Sequence, residues 1–268
     1  MRMVCVMFGL LALPALAEDS ALTTLVTADD AQGWEAVGRI DMAGQGFCTG
    51  TLIAPDTVLT AAHCLYDGDT GARLDDGDIR FLAGWRGGQA LADRTVRRAV
   101  AHPDYVHDPS AGANNSRHDL ALLLLTQPIR STQIVPLPVA PDEPLGSEVG
   151  IISYAHDRAE APALQETCDV IGAEAGVAVL SCSVDFGSSG APIFHIGPAG
   201  PRIVSIVSAK ADYDGDPVAV GVLLAEPLRA LQQIMAEGEG LFRDGVPTGV
   251  RVLSGGERAE TGARFVRP

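Results

Sequence analysis

Three short segments of this chain carry residue types that can move a proton and attack a carbonyl carbon. They are Thr60-Ala61-Ala62-His63-Cys64, His118-Asp119-Leu120-Ala121-Leu122-Leu123 and Gly187-Ser188-Ser189-Gly190-Ala191-Pro192. A serine hydroxyl is a weak nucleophile near neutral pH and needs an adjacent base to take its proton. An imidazole can be that base, provided a carboxylate fixes its tautomer and offsets the charge it gains. His63, Asp119 and Ser189 are the candidates for base, orienting acid and nucleophile. The small residues around Ser189 suit a tight turn whose backbone N–H groups can face a carbonyl oxygen. Losing one such donor costs roughly 10²–10³ in rate.

Each assignment has a duller competitor. The chain has six histidines, and a histidine taken at random is a surface or packing residue. The Thr-Ala-Ala-His-Cys context sets His63 apart. His118 adjoins Asp119, but consecutive strand residues point to opposite faces, which turns it away from the aspartate's working side. His102 lies in the surface turn His102-Pro103-Asp104-Tyr105, and His156 and His195 have no supporting context. Asp119 could merely cap a strand, but the apolar run behind it buries its surroundings, and a buried carboxylate needs partners. Ser188 competes with Ser189; Gly187 and Gly190 stand at the right distances for Ser189.

Together the three motifs resemble the trypsin/chymotrypsin-like serine peptidases, particularly their compact secreted bacterial members. Their span, about residues 34–236, takes in most of the chain. The resemblance implies an all-β chain of two antiparallel six-stranded β-barrels, with the active site between them and a C-terminal helix. It also implies a polypeptide substrate, an oxyanion hole on the amides of Gly187 and Ser189, and no cofactor or metal. The base of the primary specificity pocket falls at Ser183 and its wall along residues 205–210, which includes Ser208 and Lys210. Family members usually carry a small aromatic-glycine pair at the positions of Ala209 and Lys210. Lys210 therefore attracts an acidic P1 side chain, the residue before the scissile bond, or blocks the pocket, unless it simply extends into solvent. Two departures stand out. Ser188 occupies the place of the aspartate that pairs with a freed N-terminus in cleavage-activated members, and no Ile-Val-Gly-Gly start is present. The interval from Asp119 to Ser189 is short, which implies trimmed loops in the second barrel.

The elements that must position these residues are short. Strand-patterned runs fall at 35–40, 49–53, 57–60, 79–83, 95–101, 120–124, 148–154, 166–171, 178–183, 192–196, 202–207 and 218–224. Gly, Asp and Pro separate them, as in an antiparallel sandwich or barrel, and the periodicity does not distinguish the two. Residues 34–127 are expected to form the first barrel, 128–145 a Pro-rich linker and 146–224 the second barrel. Leu228, Leu231 and Ile234/Met235 recur every three or four positions, and Pro227 suits a first turn, which predicts a helix over 225–237. Residues 238–268 read as a loosely ordered tail, and 18–33 as a polar segment without a core pattern.

Residues 1–17 combine Arg2, an apolar run from Val4 to Leu13 and Pro14-Ala15-Leu16-Ala17, the pattern of a signal peptide cleaved after Ala17. The run falls short of the roughly 20 apolar residues needed to cross a bilayer. The expected location is secreted or periplasmic, with no membrane association after cleavage. Cys5 leaves with the signal. Cys48, Cys64, Cys168 and Cys182 remain, an even set that suits disulfides in an exported chain. Three pairings are open from the sequence, and the resemblance implies Cys48–Cys64 and Cys168–Cys182. A zinc site lacks the paired C-x-x-C spacing. The formal net charge of −15 argues against nucleic acid or an anionic membrane as partner, since both need a basic face. The acidic stretches at 67–78 and 212–216 lack the spacing and bidentate glutamate of a calcium loop and read as solvated turns. The resulting expectation is an exported serine endopeptidase acting through an acyl-enzyme. Its rivals are a protease-fold binding protein with an obstructed cleft and an esterase using the same triad.

Overall fold

The apolar runs pair into antiparallel strands in the computed structural model, which describes residues 19–108 and 112–243. The signal segment expected at 1–17 lies outside the described residues. After a two-residue strand, β1 (Thr23–Thr24), come β2 (Val37–Met42), β3 (Phe47–Ala54), β4 (Thr57–Thr60), β5 (Ile79–Ala83), β6 (Ala92–Ala101) and β7 (Ala121–Leu125). Strands β2 to β7 close into a barrel in the order β2-β3-β4-β7-β6-β5. All five residues of β7 are buried. Successive side chains leave a strand on opposite faces, so β7 is covered on both, and its sequence reads as a continuous apolar run.

A second set comprises β8 (Glu148–Ala155), β9 (Arg158–Glu174), β10 (Val177–Leu180), β11 (Pro192–Gly197), β12 (Gly200–Tyr213) and β13 (Asp216–Leu223). These strands run β9-β10-β13-β12-β11-β8, and pairing of β8 with β9 brings the ring back to its start. Val149, Ile151, Leu180, Ile193 and Val207 are among the residues that fill its core. The fold is thus the expected pair of six-stranded barrels.

Several bounds differ from the sequence reading. β9 and β12 reach 17 and 14 residues. Their outer ends are largely solvent-facing and held by backbone ladders, whereas a buried apolar pattern marks only the core-facing middle. The N-terminal segment is not patternless in effect. Thr23 and Thr24 add as an edge strand opposite Leu164 and Ala163 of β9, and Leu25 and Ala31 are buried. Edge addition runs through main-chain hydrogen bonds, which leave little trace in side-chain chemistry. The linker is clasped to the second barrel at Glu143, which accepts hydrogen bonds from Arg202 Nε (2.9 Å) and Nη2 (2.8 Å) and lies 3.0 Å from His195 Nδ1. Arg202 first, then His195, hold its carboxyl down at about 2.

Helix α1 (Ala225–Arg243) starts where expected, with Leu228 and Leu231 buried, and continues past residue 237 into the segment expected as tail. Ala236, Glu237 and Glu239 are good helix formers and no proline lies between Pro227 and Arg243, so Gly238 and Gly240 do not stop it. The remainder of the expected tail lies outside the described residues. The barrels and the start of α1 form one compact unit ending at Gln232, and the helix continues into a second unit from Gln233. Among the described residues no helix is long and apolar enough to cross a membrane.

Candidate active site

β4 ends at Thr60, and the chain turns at once into a 3-10 segment, Ala62–Leu65, which carries His63. Cys64 in that turn is bonded to Cys48 on β3, so the turn is tied to the neighbouring strand. Asp119 lies between a second 3-10 segment, Gly112–His118, and β7, and is 3% exposed. Its carboxylate grips His63 twice. Oδ1 accepts the His63 backbone N–H at 2.9 Å, and Oδ2 lies 2.7 Å from Nδ1 of the ring. An acceptor there favours the tautomer protonated at Nδ1, which leaves Nε2 free to accept a proton. Ser208 on β12 donates its hydroxyl to the same Oδ2 at 2.5 Å, and its oxygen lies 2.9 Å from Ser116 Oγ.

Burial opposes charge on both partners, and their pairing outweighs it. The charge and hydrogen bond of Asp119 raise the His63 imidazole above its ordinary value. Burial pushes the Asp119 carboxyl up, but His63 and the hydroxyl of Ser208 hold it below the usual carboxylate range.

Ser189 lines the same cleft as His63, Asp119, Ser208 and Lys210, a space of about 580 Å³. Its loop is docked on β3. The Thr49 backbone N–H donates to Ser189 O at 2.9 Å, and the Thr49 hydroxyl donates to Gly187 O at 2.8 Å. Both flanking glycines have a packing cause. At Gly187 (φ 98°) a Cβ would lie 2.3 Å from the Phe47 ring, and at Gly190 (φ 78°) it would lie 2.2 Å from Thr60 Oγ1 and 2.3 Å from Thr49 O. The N–H groups of Ser188, Gly190 and Ala191 are used by Asp185 O, Val207 O and Ser188 O, whereas those of Gly187 and Ser189 donate to no protein group among the described residues. Two free donors, one on the candidate nucleophile and one two residues before it, are what a developing oxyanion needs.

The other expected residues fall in different places. Ser188 is fully buried and its hydroxyl faces Ser153 Oγ (3.2 Å) and Tyr154 O (3.3 Å), away from the cleft. Lys210, the chain's single lysine, stands on the cleft rim with Nζ 3.5 Å from Asp185 Oδ1. Ser183 is exposed, outside the residues lining this cleft, and its N–H is held by Gln165 Oε1 at 2.8 Å. His118 closes a 3-10 segment, not a strand, and stacks on His102 with ring centroids 4.7 Å apart and 3° between planes. Cys168 and Cys182 are joined, as Cys48 and Cys64 are, so both implied pairings are formed.

Possible ligand atoms of His102, Asp104 and His118 lie within 4.8 Å of one another. A metal lies in the plane of each imidazole that binds it, and two stacked rings share no such point. Nδ1 of His102 already accepts the Asp104 N–H at 3.2 Å. In the acidic stretch, Asp67 Oδ1 accepts from the N–H of Asp69 (3.0 Å) and of Thr70 (2.6 Å), which closes the turn on its own backbone. Thr49 and Ser116 were not legible as site residues. The one hint was the place of Thr49 beside Cys48, whose partner adjoins His63.

Comparison with known proteins gives consistent results. The family description "Trypsin" matches residues 26–222. Vitamin K-dependent protein C of Rattus norvegicus is 35% identical over 106 residues, 39% of this chain and 20% of that protein. Serine protease 56 of Homo sapiens is 34% identical over 140 residues, 50% of this chain and 22% of that protein. Trypsin of Phaedon cochleariae is 35% identical over 103 residues, 36% of this chain and 35% of that protein. The chain therefore spans about a fifth to a third of the length of these relatives. Among solved structures, a Glu endopeptidase in complex with MPD superimposes with TM-score 0.65 at 18% identity, covering 82% of this chain and 99% of that one. The thermostable serine protease AL20 from an extremophilic microorganism gives TM-score 0.61 at 19% identity, covering 76% and 97%. Both show the same double-barrel fold, and with the family description matching nearly three quarters of its length, the chain belongs to the trypsin family.

Proposed function

We propose that this chain is an exported serine endopeptidase that cleaves polypeptides through an acyl-enzyme. His63 takes the proton of the Ser189 hydroxyl, Ser189 attacks the scissile carbonyl, and the same proton is later given to the leaving amine. Asp119 holds the imidazole and stabilises its positive charge. The free N–H groups of Gly187 and Ser189 receive the carbonyl oxygen as it gains charge. The observation that carries this reading is the two-point grip of Asp119 on His63, in a cleft that Ser189 also lines. A space of about 580 Å³ lined by His63, Asp119 and Ser189 favours a peptidase over a protein with an obstructed site, and an esterase would need nothing different from the triad. Export rests on the pattern of residues 1–17 and agrees with two cystines in the chain.

A fluorophosphonate probe applied to the purified protein, followed by peptide mapping, tests the assignment. Wild type and Ser188→Ala should be labelled, and Ser189→Ala should not. Label that persists in Ser189→Ala defeats the assignment. Turnover of a casein or peptide-library substrate separates peptidase from esterase.

A further inference from the structure

Arg158 opens β9, and its side chain is only 8% exposed. A guanidinium buried to that degree needs partners for its donors, since an unpaired charge in the interior is costly. Its Nη1 reaches outward to Asp157 Oδ1 at 2.9 Å, on a residue that is itself exposed. Its Nη2 reaches inward to Ser153 Oγ at 3.2 Å and Ser188 Oγ at 3.5 Å. Its Nε has no hydrogen-bond partner among the described residues. One donor of the guanidinium therefore goes unused, and its inner edge meets the residue directly before Ser189.

That meeting point is also a closure of the loop. The Ser188 hydroxyl accepts the Asp185 N–H at 3.3 Å, and the Ser188 N–H donates to Asp185 O at 2.9 Å. Residues 185–188 thus form a turn locked at one end by a hydroxyl that Arg158 touches. Between its ends lies Gly187, one of the two free donors. The charge of Arg158 is felt there as well. The Asp185 carboxyl is held low mainly by the Phe186 N–H, with Lys210 and Arg158 adding to it.

We propose that Arg158 is a positioning residue for the oxyanion loop. Acting through Ser188, it holds the 185–188 turn in the shape that leaves the Gly187 and Ser189 amides free, and it adds a fixed positive charge beside a loop that receives negative charge. It touches no reacting atom. The inference rests on the reading of Ser189 as nucleophile, so its test carries a readout that needs no catalysis.

Arg158→Gln, Arg158→Lys and Ser188→Ala are compared with wild type in steady-state kinetics and in amide hydrogen exchange. Arg158→Gln should lower kcat about tenfold to a hundredfold, the scale of weakening one oxyanion donor, and leave KM nearly unchanged, because the loss falls on the transition state. Arg158→Lys keeps the charge without the fork and should recover part of the rate. Amides of residues 185–189 should exchange faster in Arg158→Gln, with the first barrel unaffected. Unchanged kcat in Arg158→Gln, or a raised KM with kcat intact, overturns the proposal. If Arg158→Gln does not fold, Ser188→Ala decides: a lower kcat at constant KM supports the proposal, and wild-type kcat overturns it. If wild type itself neither turns over substrate nor takes the probe, the functional reading has failed. Exchange at 185–189 still decides then, because wild-type exchange in Arg158→Gln rejects the positioning role.

Discussion

His63 and Asp119 each titrate away from their ordinary values because each is the other's partner. With His63 as the base proposed above, activity requires the neutral imidazole and should rise with pH, with a midpoint above the ordinary 6.5 because His63 is raised. Asp119→Asn should move that midpoint down and reduce kcat by about 10³–10⁴, the scale on which an orienting carboxylate acts in such triads. His118→Ala, whose ring faces His102, should do far less; the reverse ranking in a pH–rate series would show that the triad is drawn wrongly. The same shifts have a stability consequence. A raised histidine value stabilises the fold while His63 is charged, and that contribution fades as pH climbs through the raised value. A lowered Asp119 value stabilises above the ordinary 3.8 and fades as pH falls. At the rim, the pairing of Lys210 with Asp185 changes the expectation for specificity, because an acidic P1 side chain must displace Asp185 to reach the lysine. Both groups are roughly half exposed, so the preference in wild type should be modest, roughly fivefold or less. Asp185→Asn should strengthen cleavage after Glu, and Lys210→Gly should abolish that preference, measured on matched Glu-, Leu- and Arg-P1 peptides. Efficient cleavage after Arg by wild type would count against any role for Lys210 in P1 choice.

Among the elements, the loop that carries the candidate nucleophile Ser189 is held by contacts that only glycine allows. Gly190→Ala places a methyl group against Thr60 and the β3 backbone at a φ of 78°. The left-handed conformation alone costs a side chain about 1–3 kcal/mol, and the clash adds to it. This variant should lose probe labelling and unfold at a lower temperature. Gly172→Ala makes the contrast, since a Cβ there meets nothing within 4 Å and φ is not positive; calorimetry should find it close to wild type. Equal melting temperatures for the two variants would show that Gly190 is dispensable to the docking.

The site exists only when both barrels are in place. His63 and Asp119 come from the first barrel's strand ends, Ser189 and Ser208 from the second, and Thr49 joins them by holding the carbonyls of Ser189 and Gly187. The two cystines close loops with sequence separations of 16 and 14, each contributing about 3 kcal/mol in the chain-entropy account. Replacing both Cys48 and Cys64 with serine should lower the melting temperature by about 6–12 °C for a domain of this size. It should also cost activity, because Cys64 adjoins the catalytic candidate His63. Non-reducing peptide maps should show Cys48 with Cys64 and Cys168 with Cys182; a Cys48–Cys168 link would contradict the barrel arrangement. Much of this was already legible along the chain. The candidates His63, Asp119 and Ser189 stood out because nucleophilic chemistry demands particular residue types in local contexts of small and apolar neighbours. The strands showed wherever a face is buried, as in β4 and β5, whose bounds match the reading residue for residue. What is held by backbone hydrogen bonds or by long-range approach left no such mark. The β1 arm, the outer halves of β9 and β12, the hydroxyl of Ser208 turned to Asp119, the Lys210–Asp185 pair and the buried Arg158 all depend on which distant segment arrives beside them. A single sequence records a residue's own chemistry and its local periodicity; its partner is decided by how the two barrels close and pack.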